Sequence, residues 1–136
     1  MSSFLATGSG QTYSSSGSVL QLTFTSIVFN NGGFFASNAW TPPSGKVRIG
    51  GQFRSTGANI TSGGVAAVHI YKNGSVFQKF ICNQQSTDTN GIGVQADDSC
   101  NGSDVYTLRC LMVISGNTTV SNARADTNFW GYTLPT

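Results

Sequence analysis

Three stretches of this chain place bulky apolar residues on both parities of an extended segment: VAAVHIY (65–71), LRCLMVI (108–114) and NFWGYTLP (128–135). Neighbouring side chains on a strand point to opposite faces, so a strand with one wet face alternates apolar with polar. In 65–71 only His69 interrupts the apolar run. In 108–114, Leu108, Cys110, Met112 and Ile114 share one face while Leu111 and Val113 lie on the other. In the last stretch Phe129, Trp130, Tyr132 and Leu134 occupy both. Such strands need cover on two sides. A two-layer sandwich covers one face of each sheet, and no segment has the periodicity of a helix that could add a layer. A second copy of the chain is the economical cover.

The remaining strands alternate normally. In VLQLTFTSIVF (19–29), Leu20, Leu22 and Phe24 share one parity. In KVRIGGQFRS (46–55), Val47, Ile49, Gly51 and Phe53 take one face and Lys46, Arg48, Gln52 and Arg54 the other. Turn signals separate them: NNGG at 30–33, Pro42-Pro43, and Asn-Gly pairs at 73–74 and 101–102, each read as the tip of a hairpin. Ser, Thr, Asn and Gly make up close to half of the 136 residues, and these favour strands and turns over helices. Nine Phe, four Tyr and two Trp argue against disorder. The expectation is an all-β domain of about 8–10 strands, a sandwich or barrel. Residues 1–18 read as a flexible N-terminal arm carrying Phe4, Leu5 and Tyr13, and residues 19–136 as the folded domain.

Charged residues are only 9%, against about 25% in typical soluble domains. The seven Lys and Arg are scattered and the net charge is +2, so no basic patch points to nucleic acid. No apolar run reaches the ~20 residues of a membrane helix. The N-terminal residues lack the basic start and apolar core of a secretory signal, and release with an assembled particle is the expected route out of a cell. There is no Glu, and His69 is the only imidazole. It sits inside an apolar strand and is read as structural, so neither catalysis nor a cofactor is expected. Cys82, Cys100 and Cys110 fit no zinc spacing; Cys110 reads as a small buried residue. Asp97 and Asp98, as strand neighbours, point to opposite faces and read as solvated rather than as a Ca²⁺ site.

Four motifs, in order along residues 19–135, resemble the jelly roll shared by the complement globular head and tumour necrosis factor. Trp40-Thr-Pro42-Pro43-Ser-Gly45 is similar to the aromatic–proline–glycine entry of the complement-like branch, with Val47 in place of its usual aromatic. Lys72-Asn73-Gly74 resembles its hairpin tip. Gly102-Ser103-Asp104-Val105 is similar to its Gly-Asp-x-Val turn, one residue longer. Phe129-Trp130-Gly131-Tyr132-Thr133-Leu134 fits its closing Phe-x-Gly-x-x-Leu strand. The resemblance implies a two-sheet antiparallel jelly-roll sandwich assembling as a compact homotrimer, one sheet packed around the threefold axis. His69, Tyr71, Leu111, Val113, Phe129, Trp130 and Tyr132 are the expected trimer-interface residues.

The low-charge, Ser/Thr/Asn/Gly-rich style resembles bacteriophage structural proteins. The functional expectation is a non-enzymatic virion protein, made in the host cytoplasm: a capsid decoration (cement) protein whose arm, through Phe4, Leu5 and Tyr13, grips the major capsid protein. The alternatives are a receptor- or glycan-binding head of a phage fibre and a secreted bacterial lectin. The polar loops 56–64 and 83–91 are the expected ligand-facing segments.

Overall fold

The computed structural model describes residues 2–56, 61, 64–83 and 89–135. Eight strands of five or more residues carry the architecture: β1 (Ser3–Thr7), β4 (Ser26–Asn31), β7 (Gly45–Thr56), β8 (Val65–Lys72), β9 (Ser75–Asn83), β10 (Thr89–Cys100), β11 (Tyr106–Met112) and β13 (Asn128–Thr133). Five short ones flank them: β2 (Thr12–Tyr13), β3 (Leu20–Gln21), β5 (Phe35–Ala36), β6 (Ala39–Trp40) and β12 (Thr118–Val120). All pairings are antiparallel, and the described residues contain no helix.

One sheet runs β2-β12-β7-β13-β1-β4, with β10 on the other edge of β7; the second runs β5-β6-β11-β8-β9, with β3 beside β11. The layers face each other across an aromatic-rich core. Val47, Ile49 and Phe53 of β7 are fully buried, as their shared parity requires, as are Leu108, Cys110 and Met112 of β11. Phe4 stacks on Phe35 with ring centroids 4.5 Å apart and meets Phe129 edge-on at 4.9 Å. The indole of Trp40 needs the bare Cα of Gly131, where an added Cβ would stand 2.6 Å from Cζ3.

The expected flexible arm, residues 1–18, is instead built into the sheets over its described residues, 2–18. β1 lies between β13 and β4, paired on both edges, with Phe4 and Ala6 in the core at 1% and 0% exposure. Ser2 is locked as well: its Oγ accepts a buried bond from Trp40 Nε1 at 3.1 Å. Tyr13 is 2% exposed, and its hydroxyl accepts a bond from Met112 N at 2.9 Å and lies 2.6 Å from the Ser18 carbonyl oxygen. An inner strand this short needs only two core residues, so SFLAT carries too little apolar pattern to stand out among Ser, Gly and Thr.

Two other expectations change. The segment 19–29 is not one strand: β3 pairs with β11 and β4 with β1, so the chain crosses between sheets over 22–25 while Leu22 stays buried. Alternation survives such a crossing and conceals it. The Asn101-Gly102 turn is likewise a corner, since β10 belongs to one sheet and β11 to the other. Asp104 holds that corner, accepting bonds from Asn101 N (3.0 Å) and Asn73 Nδ2 (2.8 Å). The Asn73-Gly74 tip is a true two-residue hairpin. Both residues have positive φ (54° and 81°), as the twist-matched turn demands, and Lys72 pairs with Ser75.

Candidate functional site

The outward face of the seven-stranded sheet carries an aromatic row on a surface that no second layer covers among the described residues. Register places Phe29 (β4), Leu5 (β1), Trp130 (β13), Gly50 (β7) and Gln95 (β10) in one row across it. The next row is Ser3, Tyr132, Arg48 and Asp97. Gly50 makes room for Trp130: a Cβ there would stand 2.3 Å from Cζ2 and 2.7 Å from Cε2 of the indole. The Tyr132 ring lies 6.0 Å from that of Trp130 and nearly parallel. Phe29 is 42% exposed and Tyr132 38%. Beside the aromatic row is an open hollow of about 540 Å³, lined by Leu5, Thr7, Gln52, Arg124, Asn128 and Trp130.

Arg48 closes that face at one end with a two-pronged ion pair, Nε to Asp97 Oδ1 at 2.7 Å and Nη2 to Oδ2 at 2.8 Å. These hydrogen bonds hold the Asp97 carboxyl below its usual range. Asp98, its neighbour, points the other way and meets Lys72 Nζ at 2.7 Å and the Tyr106 hydroxyl at 2.6 Å. The two aspartates therefore serve separate ion pairs on opposite faces and are not simply solvated. Among the described residues no group of three or more His, Cys or acidic side chains converges to hold a metal.

A second apolar surface lies at the open edge of the sandwich, where β9 and β10 end their respective sheets. Phe80 lies opposite Val68, whose side chain is in the core, so it takes the inward face of its sheet. It is nonetheless 49% exposed, because among the described residues no strand lies beyond β9. Ile92 and Val94 of β10 are only partly buried.

The seven expected interface residues do not share one surface. Phe129 is fully buried inside the subunit. Trp130 and Tyr132 take the open face just described. His69, Tyr71 and Leu111 take the outer face of the other sheet, and Val113 continues that parity just past β11. There His69 is 7% exposed, with Lys79 and Arg109 opposite it on the two neighbouring strands. Burial, and then the Lys79 charge, hold its pKa below the ordinary value. Of the expected arm contacts, Phe4 and Tyr13 are core residues and Leu5 belongs to the open face. The sequence reading missed Phe29 and Phe80 as surface-forming groups, since exposure at a sheet edge depends on strand order, and it placed Leu5 on an arm rather than on this sheet face. The loops 56–64 and 83–91 lie mostly outside the described residues. Cys110 is buried and Cys82 and Cys100 are unpaired, so the structure has no bridge among its three cysteines.

No protein family and no curated protein matches the sequence. Solved structures do match the fold. A crystal structure of murine APRIL superimposes with a TM-score of 0.73 at 11% identity, covering 98% of each chain. The globular domain of the zebrafish complement 1qA protein gives 0.66 at 12% identity, over 99% of this chain and 98% of that one. The chain thus has the jelly-roll fold of C1q- and TNF-like proteins.

Proposed function

We propose that the chain works as a homotrimer in which the open face of one subunit's seven-stranded sheet receives the β9/β10 edge of the next. The observation that carries this is the row Phe29–Leu5–Trp130 over Gly50, an apolar aromatic surface on a sheet face with no covering layer. Exposed contiguous apolar surface of this kind marks an interaction site. The complementary surface is elsewhere on the same chain, around Phe80, and a contact between two different patches closes into a ring when the rotation permits. The outer face of the six-stranded sheet, with His69 and Tyr71, then remains on the outside of the trimer.

In this proposal the trimer is a non-enzymatic binding module on the surface of a virus particle of bacteriophage type, a setting that rests on the low-charge, Ser/Thr/Asn/Gly-rich composition. Of the two duties expected there, a receptor- or glycan-binding head fits the geometry better than an arm-clamped cement protein. The segment assigned to clamping the major capsid protein is an inner strand. A capsid decoration role would have to use the body of the trimer.

The deciding experiment is native mass by light scattering, with and without reductant, followed by mixing with capsids and with host cells. A mass near three chains in both buffers supports the assembly. A stable monomer refutes it, and binding to capsids alone would reinstate the cement role.

A further inference from the structure

The outer face of the six-stranded sheet aligns three basic side chains in one cross-strand row: Lys79 on β9, His69 on β8 and Arg109 on β11. Strands lie about 4.8 Å apart, so the row spans about 10 Å. Protonating His69 between Lys79 and Arg109 would set like charges directly opposite one another, which weakens a sheet, and an acid in the row would relieve them. None is there. The next position is Gln21 on β3. The four described acids are engaged elsewhere, Asp97 with Arg48, Asp98 and Asp104 with Lys72, and Asp126 with Arg54; Asp88 lies outside the described residues.

The row is also organised in advance. The Arg109 guanidinium lies 4.3 Å from the centroid of the Tyr71 ring, and its Nε donates to Thr107 Oγ1 at 3.3 Å. Neither contact uses the two terminal nitrogens, the fork that grips carboxylates and sulfates. His69 Nδ1 is buried without a hydrogen-bond partner among the described residues. A local rule broken at several levels at once, with no compensation inside the fold, is the mark of a functional surface.

We infer that the Lys79–His69–Arg109 row binds the acidic groups, carboxylate or sulfate, of a glycan chain. Gln21 and Tyr71 beside Arg109 supply the amide and phenol that sugar hydroxyls pair with, while the apolar Val76, opposite Tyr71, and Ile81, opposite Ala67, flank the row on β9. A nucleic-acid strand would need more cations than this row and a net charge of +2 provide. The site belongs to a single chain; only its threefold multiplication, and the avidity that brings, rests on the trimer.

Anion binding favours the charged imidazole, so affinity rises on acidification. The charged and titratable groups next to His69 on this face are Lys79 from β9, Arg109 from β11 and Tyr71 on its own strand.

The test is calorimetric titration of the full chain with a sulfated oligosaccharide and a sialylated one, each monovalent, with a neutral oligosaccharide, a short DNA strand and an acidic peptide as controls. Arg109→Gln should weaken acidic-glycan binding about tenfold. Lys79→Gln, at an exposed position that leaves folding intact, should weaken it about threefold. Lowering the pH from about 7.5 to about 5.5 should strengthen binding, and His69→Asn should abolish that dependence. Absence of binding to both acidic probes, unchanged affinity in Lys79→Gln, or preference for the DNA or the peptide would overturn the assignment. Monovalent probes report on the site whatever the native mass, and a glycan-coated surface reports separately on the trimer.

Discussion

Two adjacent glycines on β7 face opposite ways and allow folding and assembly to be perturbed one at a time. Gly51 faces the core, where a Cβ would stand 2.6 Å from Leu108 Cδ2 and 2.8 Å from the Asn128 carbonyl oxygen. Leu108 is fully buried, and the carbonyl belongs to the strand paired with β7. Neither can yield freely, so Gly51→Ala overpacks the core by about 1–3 kcal/mol. Stiffening of the unfolded chain offsets about 0.4–1 kcal/mol of that. The melting midpoint should fall by roughly 3–10 °C. At Gly50 the three atoms nearest the new Cβ all belong to the Trp130 indole, at 2.3–2.8 Å. Ordinary carbon contact needs about 3.5–4 Å, so the ring must lift by over an ångström, and on an open face it can. The isolated subunit should keep its stability to within about 1 kcal/mol. In the proposed trimer, three subunit contacts each inherit a displaced Trp130, and the assembly should dissociate at a protein concentration at least about tenfold higher than the wild type. Light scattering over a dilution series and thermal melting of both variants decide the matter. A Gly50→Ala protein that holds its native mass on dilution as wild type does would refute Trp130 as a subunit contact.

The N-terminal strand gives a second test: Phe4→Ala should cost about 3–5 kcal/mol and truncation through Thr12 should prevent folding, both read by circular dichroism; a truncated chain melting like wild type would contradict the inner-strand placement. At the end of the sandwich, desolvation pushes the Asp98 carboxyl up, but bonds from Lys72 and Tyr106 outweigh it and leave its pKa below the ordinary value. A depressed folded-state pKa stabilises fully above about pH 4 and the contribution is lost as pH falls through the folded value. Asp98→Asn should therefore cost about 1–3 kcal/mol at neutral pH and flatten the acid limb of the stability curve, measured by urea titration at several pH values. Burial pushes the Cys110 thiol up to about 12, so a disulfide-exchange reagent should label Cys82 in the native protein and Cys110 only on unfolding; rapid native labelling of Cys110 would show that the core is open.

Wherever pairing is local, the sequence was enough. The Asn73-Gly74 hairpin, the in-and-out pattern of β7 and the closing strand follow from turn chemistry and period-two alternation, which act over a few residues. Long-range features were not legible in the same way. Strand β1 pairs with β13 across more than 120 positions, and nothing within Ser3–Thr7 announces a partner that distant. The crossing at 22–25 and the corner at 101–105 keep the inward parity intact, so the pattern gives no warning that the chain has changed sheets. Four motifs in order supplied the topology that periodicity could not.

The same limit explains why one criterion, apolar residues on both parities, led to two different surfaces. On β13 the second face is uncovered: Trp130 and Tyr132 stand beside Leu5 and Phe29, all bulky, with Gly50 as the only floor. On β8 the second face is already covered. Ala67 is 2% exposed and His69 7%, although among the described residues no strand or helix lies over them. Ala67 is too small to project above the sheet, and the long side chains opposite, Leu111 beside Ala67 and Arg109 and Lys79 beside His69, can lay their stems across it while keeping their charges in water. A strand can therefore read as two-faced because it seeks a partner, or because small residues on it are roofed by long neighbours in register. Side-chain size along the row, rather than polarity along the strand, separates the cases. By that measure the β13 face is the one suited to another subunit, and the β8 face, with its cations held at the rim, is suited to an acidic ligand.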